Sequence, residues 1–241
     1  MTVTMDLGFK STSFETAKDV EIPQAYYNRF STGLDCIDEL FGGLGLMPGS
    51  TSLLGASPGT GKTTLLMQLF QSIENTSGKR CGYISGEESV PQLAFTAKRL
   101  NVKSVQVANM NDVDHITDTF QHFDVIAIDS FQCLSTKAVK GKTKIQQYVI
   151  VKIINAAKRT GTKVFVICHY TKDGKIKGDS TVIHAPDCVI NLYKGDPEKY
   201  GSHSVRVIEV EKNRFGPTGE LALSMNSSGY DFNNPVEITN G

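Results

Sequence analysis

The sequence has no excess of charge of either sign: 25 Lys and Arg balance 25 Asp and Glu over 241 residues. That balance excludes a global field directed at nucleic acid, so any polyanion site has to be a local patch. The chain also lacks a Cys-x-x-Cys pair, and its five cysteines, Cys36, Cys81, Cys133, Cys168 and Cys188, are scattered. Such spacing argues against structural zinc and a disulfide framework, and for a reducing compartment. No apolar run approaches the ~20 residues needed to span a bilayer. The N-terminus lacks the basic start and apolar stretch of a secretory signal. A soluble, cytoplasmic protein with no membrane partner is the expectation. With 39% hydrophobic and 21% charged residues, the composition suits one α/β domain with a sizeable core.

What is present is a phosphate-loop pattern at Ala56-Ser57-Pro58-Gly59-Thr60-Gly61-Lys62-Thr63, followed by Thr64. It has the spacing of a small residue, four residues, then Gly-Lys-Thr. Thr51–Leu54 reads as a short buried strand before it, and Leu65, Leu66, Leu69 and Ile73 as an amphipathic helix after it. Glycines let backbone N–H groups face a triphosphate with no Cβ in the way, and the helix start adds free N–H groups and a positive dipole end. Ser57 to Thr64 would thus cradle ATP, with Lys62 at the β- and γ-phosphates and the Thr63 hydroxyl on Mg²⁺.

Residues 1–28 are polar and weakly patterned and read as an arm or linker; residues 29–241 form the domain. Phe14-Glu15-Thr16-Ala17 in the arm is read as a chance match to the Phe-x-x-Ala docking element of recombinases. From Thr51 onward strand and helix patterns alternate. Expected strands are 81–85, 102–108, 124–129 and 163–168, with helices to Ser77, from Ser89 to Leu100, from Asn111 or Asp112 to His122, and over 144–159. Three strands close the chain, at 188–192, 204–210 and 221–223. The order predicts an α/β fold with a mostly parallel central sheet flanked by helices and an antiparallel C-terminal extension.

Open parallel sheets bind ligands at the carboxyl ends of their strands. Asp129 ends one apolar strand, where a carboxylate orients Mg²⁺, usually through its water shell. Glu87 and Glu88 follow another strand end, where a carboxylate can orient or deprotonate an attacking water. His169 ends a third and could sense the γ-phosphate.

Six segments occur in one order: Ser31–Asp35, the loop at 56–63, Ser85–Ser89, Ile128–Gln132, His169–Gly174 and Lys212-Asn213-Arg214-Phe215-Gly216. Together they resemble the ATPase core of the RadA/Sms branch of the RecA superfamily, over about Arg29 to Asp231. The resemblance implies a RecA-like phosphate-loop fold, Glu87 as the water-activating carboxylate with Glu88 its neighbour, and His169 as the γ-phosphate sensor. It also implies that Lys212 and Arg214 reach a neighbouring subunit's ATP. Family members usually add an N-terminal Cys₄ zinc module and a C-terminal Lon-protease-like domain. The expectation here is a core without either, of the kind a virus or mobile element carries. Thr96 stands where the family often has Arg, which puts the nucleobase contact in doubt, and Ala56 and Thr63 replace Gly and Ser.

Two segments match the axis-facing loops of RecA-like rings. One, about 134–144, holds Lys137, Lys140, Lys142 and Lys144 and no acid; the other, 170–180, holds Lys172, Lys175 and Lys177 with Asp173 and Asp179. Lysines without arginine, with Tyr170 as the sole aromatic, suit contact with a single-stranded DNA backbone with little sequence preference. The expected function is an ATP-dependent DNA motor, a homo-oligomer such as a hexameric ring, acting in recombination, repair or replication. A recombinase or replication protein is a possible partner. The rival reading is a nucleotide-gated recombination mediator or a KaiC-like regulatory ATPase.

Overall fold

A computed structural model describes residues 14, 16–22, 24–170 and 180–237. Ahead of the sheet lie two short 3-10 turns, Ala17–Asp19 and Gln24–Tyr26, and the helix α1 (Asp35–Leu40). Then come β1 (Thr51–Ala56), α2 (Lys62–Ser77), β2 (Cys81–Ser85), α3 (Val90–Arg99) and β3 (Gln106–Asn109). These are followed by α4 (Val113–Thr119), β4 (Val125–Asp129), α5 (Lys142–Thr160), β5 (Lys163–His169) and α6 (Ser180–His184). The chain closes with β6 (Cys188–Lys194), α7 (Pro197–Tyr200), β7 (Val205–Asn213), β8 (Gly219–Asn226) and β9 (Gly229–Tyr230).

Among the described residues the strands form one nine-stranded sheet in the order β3-β2-β4-β5-β1-β6-β7-β8-β9. The first six are parallel and the last three run antiparallel, as the sequence pattern predicts. The inner parallel strands β1, β2, β4 and β5 are buried on both faces and split their side chains by alternation. Leu54, Tyr83, Ala127, Phe165 and Ile167 join α2 and α3 in one core layer, through residues such as Leu66, Phe70 and Leu93. Leu53, Ile84, Ile126, Ile128, Val164 and Val166 face Ile116 of α4 and Ile150, Ile153 and Ile154 of α5 in the other. Each such apolar side chain contributes about 1.5–3 kcal/mol by burial, which is what holds helices on both faces.

Helix ends follow local chemistry. Gly78 and Gly161 cap α2 and α5 in the left-handed conformation, at φ 62° and 76°. The Ser89 backbone N–H donates to the Gln92 side chain at 2.8 Å where α3 begins. Several boundaries differ from expectation, and the C-terminal strands run longer than their apolar cores. The strand expected over 102–108 starts only at Gln106. Asn101 turns left-handed (φ 56°) and the Val102 N–H bonds the Ala97 carbonyl, so this segment finishes α3. The Asp124 carboxylate accepts from the Arg80 N–H and the Lys79 ammonium and stays outside β4. α5 begins at Lys142, so Lys142 and Lys144 sit in its opening turns and only Lys137 and Lys140 belong to the loop.

The start of the sheet contains one buried cation. Lys163 lies at the head of β5, hydrogen-bonded to the hydroxyls of Ser50 (2.9 Å) and Ser52 (2.6 Å). Burial lowers its pKa from 10.5 to about 8. Between those values the unfolded chain still holds a proton that the folded chain has released, so this group makes stability rise with pH. The stability difference between the parent and Lys163→Met is therefore expected to grow in the parent's favour from about pH 8 to 10.5 and to stay flat below pH 7. Urea midpoints across that range check it.

Candidate active site

Strand register assembles the site. β1 pairs with β5 so that Ala56 sits opposite His169, and β2 pairs with β4 so that Ser85 sits opposite Asp129. β4 and β5 are themselves paired, so the phosphate loop after β1, the glutamates after β2, Asp129 and His169 share one sheet edge. The ligand atoms of Glu87, Asp129 and His169 all lie within 4.8 Å of one another.

The phosphate loop is shaped by its glycines and by the far end of the chain. Gly59 and Gly61 have φ of 75° and 97°, which disfavours any other residue. A Cβ on Gly61 would also lie 2.6 Å from Met225 Sδ and 2.7 Å from the Tyr230 hydroxyl. Thr60 ties the loop to itself, its hydroxyl donating to the Ser57 carbonyl (2.7 Å). Its own carbonyl accepts from the Tyr230 hydroxyl (3.0 Å) and from Arg206 Nε (3.2 Å). That carbonyl is turned away from the cleft, and the Thr60 N–H donates to the Ser57 carbonyl (3.4 Å), which leaves the other N–H groups of the loop to meet an anion. Ser57, Gly61, Lys62 and Thr63 are partly exposed, and Pro58 and Gly59 exposed, as a cradle open to a ligand requires. Lys62 and Thr63 open α2, and Thr64 is buried just behind them.

Asp129 is 2% exposed. Its Oδ2 accepts from the Tyr83 hydroxyl at 2.8 Å, while its Oδ1 is buried with no hydrogen-bond partner among the described residues. Burial pushes its carboxyl above the usual range, against the opposing charge of Lys62 and the Tyr83 hydrogen bond. A buried acceptor left unpaired costs about 1–3 kcal/mol. A divalent cation or its water shell would offset that cost, so the residues fit Mg²⁺, with the Thr63 hydroxyl and Asp129 to hold it.

The two glutamates separate by environment. Glu87, with 32% of its side chain exposed, accepts from the Ser130 hydroxyl at 2.5 Å and from Cys133 Sγ at 3.4 Å. His169 Nε2 stands 3.5 Å from the same oxygen, too far for a good hydrogen bond. Burial raises its pKa, but Ser130, His169, Cys133 and Lys62 together outweigh it and hold Glu87 below the ordinary carboxylate value. Glu88 is driven the other way by burial and by Asp129, and its Oε2 has no partner among the described residues. Glu87 is thus the more exposed carboxylate with its pKa held low, and Glu88 the one turned in with its pKa raised.

The remaining sequence-predicted residues lie elsewhere. Lys212 and Arg214 are at the opposite edge of the sheet, because Asn213 pairs with Cys188 and Cys188 with Ser52, near the start of β1. Roughly 17 Å of strand, at ~3.3 Å per residue, separates that edge from this chain's own phosphate loop. There the Lys212 ammonium donates to the His184 and Pro186 carbonyls (both 2.7 Å), and Arg214 pairs with Asp187 at 3.2 Å. Lys137, Lys140, Lys142 and Lys144 are all exposed, beyond the carboxyl end of β4. Lys172, Lys175 and Lys177 lie outside the described residues, as does part of the Phe-x-x-Ala segment. On α3, Thr96 leaves the nearby position to Arg99, which donates to the Ser227 carbonyl (2.7 Å) and reaches the Thr64 hydroxyl (3.4 Å).

Sequence reasoning missed Tyr83, Ser130, Arg206 and Tyr230. A signal existed for two of them: Tyr83 is a polar group within the apolar part of β2 and Arg206 stands among Val205, Val207 and Ile208, and buried polar groups need a partner.

A family model described as an AAA domain matches residues 16–175. The DNA repair protein RadA of Rickettsia typhi is 35% identical over 97% of this chain and 51% of its own length. That of Brucella abortus is 35% identical over 87% of this chain and 46% of its own, and that of Bacillus subtilis 31% over 94% and 48%. The chain spans about half the length of these relatives. Among solved structures, the KaiC-like protein PH0186 of Pyrococcus horikoshii has a similar fold, with a TM-score of 0.67 and 18% identity over 84% of this chain and 97% of that one. Among the described residues no helix is long and apolar enough to cross a membrane. Matched by the AAA-domain model over residues 16–175, the chain belongs to that AAA-domain family, and its sequence is similar to about half the length of the RadA relatives.

Proposed function

We propose that this chain is a DNA-stimulated ATPase that assembles with copies of itself, in a hexameric ring or similar array, and moves along single-stranded or branched DNA. Helicase or branch-migration work in recombination, repair or replication is the role that fits. The observation that carries the reading is the meeting of Glu87, Asp129 and His169 within 4.8 Å beside an intact phosphate loop. The naming of the RadA relatives as DNA repair proteins supports the pathway.

Each residue has a job that its surroundings suit. The loop from Ser57 to Thr64 binds the triphosphate through backbone N–H groups, and Lys62 neutralises the β- and γ-phosphates. Bound Mg²⁺ supplies further charge neutralisation there, held by Thr63 and Asp129. Glu87, kept ionised by Ser130 and Lys62, accepts the proton of the attacking water. His169 stands within reach of the γ-phosphate region and links it to the segment that follows β5. Lys212 and Arg214, at the edge far from their own loop, stabilise the transition-state charge on a neighbouring subunit's ATP. The exposed lysines Lys137, Lys140, Lys142 and Lys144, with Lys172, Lys175 and Lys177, hold the DNA backbone.

A second reading is nucleotide-gated assembly without motor work, as in a recombination mediator or a KaiC-like regulator. It draws on the way Lys212 and Arg214 are engaged inside their own chain, which would have to be released before they acted in trans.

Steady-state ATP hydrolysis with and without single-stranded DNA separates the two. Strong stimulation, abolished in Lys62→Ala, is the motor's outcome; slow turnover indifferent to DNA is the regulator's. Glu87→Gln is expected to keep ATP binding and to slow turnover by about 10²–10⁴-fold, the usual contribution of a positioned base. Replacing Lys137, Lys140, Lys142 and Lys144 with Ala is expected to weaken single-stranded DNA binding at least ~10-fold and to flatten its salt dependence, at ~0.7 of log–log slope per lost phosphate contact. Unchanged DNA binding would remove those lysines from the interface.

A further inference from the structure

Tyr83 is fully buried on β2, on the face covered by α2, in a strand that is otherwise apolar until Ser85. Its hydroxyl lies between two groups of the nucleotide site, 2.8 Å from Asp129 Oδ2 and 3.4 Å from Thr63 Oγ1. A phenol has one proton to give and a carboxylate has only lone pairs. The short contact therefore uses the Tyr83 proton, donated to Asp129. The longer contact is left for the Thr63 hydroxyl to donate to the phenol oxygen. The protons then run in one direction, from Thr63 to Tyr83 to Asp129. Two consequences follow for the cleft. Thr63 Oγ1 turns lone pairs outward because its proton is used behind it. Asp129 is anchored through Oδ2, so its other oxygen, Oδ1, stays free, buried and without a partner among the described residues.

We infer that Tyr83 is a positioning residue for the divalent cation, ordering the protons of Thr63 and Asp129 so that both present lone pairs to the metal. The inference rests on the reading of this cleft as a Mg²⁺–ATP site and adds to it the residue that presets the cation's two protein contacts. Tyr83 touches neither nucleotide nor reacting atoms. What separates it from a residue that only fills the core between β2 and α2 is an effect on how well the cation is held, over and above any effect on stability.

The test is Tyr83→Phe, which keeps the ring and its packing and removes one oxygen. Binding of a fluorescent ATP analogue is titrated with Mg²⁺ and repeated in EDTA. The Mg²⁺ concentration giving half the maximal signal is expected to rise about 10-fold in the variant with EDTA affinity unchanged, while the nucleotide-free melting midpoint falls because Asp129 Oδ2 loses its buried donor. A purely structural tyrosine would shift the melting midpoint and leave the Mg²⁺ titration as in the parent, and that result overturns the inference. A parent chain whose nucleotide binding ignores Mg²⁺ overturns the inference together with the reading beneath it. Should Tyr83→Phe fail to fold, 3-fluorotyrosine at position 83 keeps both ring and hydroxyl. Its ¹⁹F resonance is expected to move when Mg²⁺ is added to the nucleotide-bound protein, and a stationary resonance counts against the role.

Discussion

Everything at the site depends on the register of four parallel strands. β1, β2, β4 and β5 are buried on both faces, and their side chains alternate between two helix layers. A slip of one residue would send Leu53 to the face of Leu54 and exchange the core surfaces, so the register is strongly held. The same constraint brings Ala56 level with His169 and Ser85 level with Asp129. The polar residues sit where each apolar run ends, and the core gathers them at no separate cost in design. Chemistry at this edge is a consequence of packing below it.

The antiparallel extension has a role at both ends of the sheet. Near the phosphate loop, Arg206 of β7 and Tyr230 of β9 hold the Thr60 carbonyl, and Met225 of β8 lies against Gly61. Arg206 is 8% exposed, and its guanidinium donates to the carbonyls of Thr60, His203 and Val205. A buried guanidinium with carbonyl partners suits a place beside a bound polyanion, since charge buried without an opposite charge is costly. At the other edge the same β7 delivers Lys212 and Arg214. One strand thus connects the residues that hold the phosphate loop with those proposed to meet another copy's ATP.

Much of this was legible in the sequence, and the limits have physical reasons. The phosphate loop could be read because strand, glycines and helix are contiguous, and Asp129, Glu87 and His169 because each ends a recognisable apolar run. The parallel-then-antiparallel order followed from the order of elements. Tyr83 could be seen as a polar group in a buried strand, but its partners Thr63 and Asp129 depend on strand order, which no local pattern gives. Tyr230 and Arg206 act on Thr60 across 170 and 146 residues, beyond any periodicity. The start of α5 was set two residues late because Gly141, with φ 94°, ends the loop earlier than the apolar pattern of α5 begins.

The central claim is that the ATP site is shared between copies, since Lys212 and Arg214 stand at the edge away from their own loop. The most direct measurement is turnover per chain at saturating ATP as protein concentration is varied, with sedimentation reporting assembly over the same range. A shared site predicts turnover that climbs with assembly and levels off when assembly is complete. Turnover that stays constant down to concentrations where sedimentation finds single chains would contradict it.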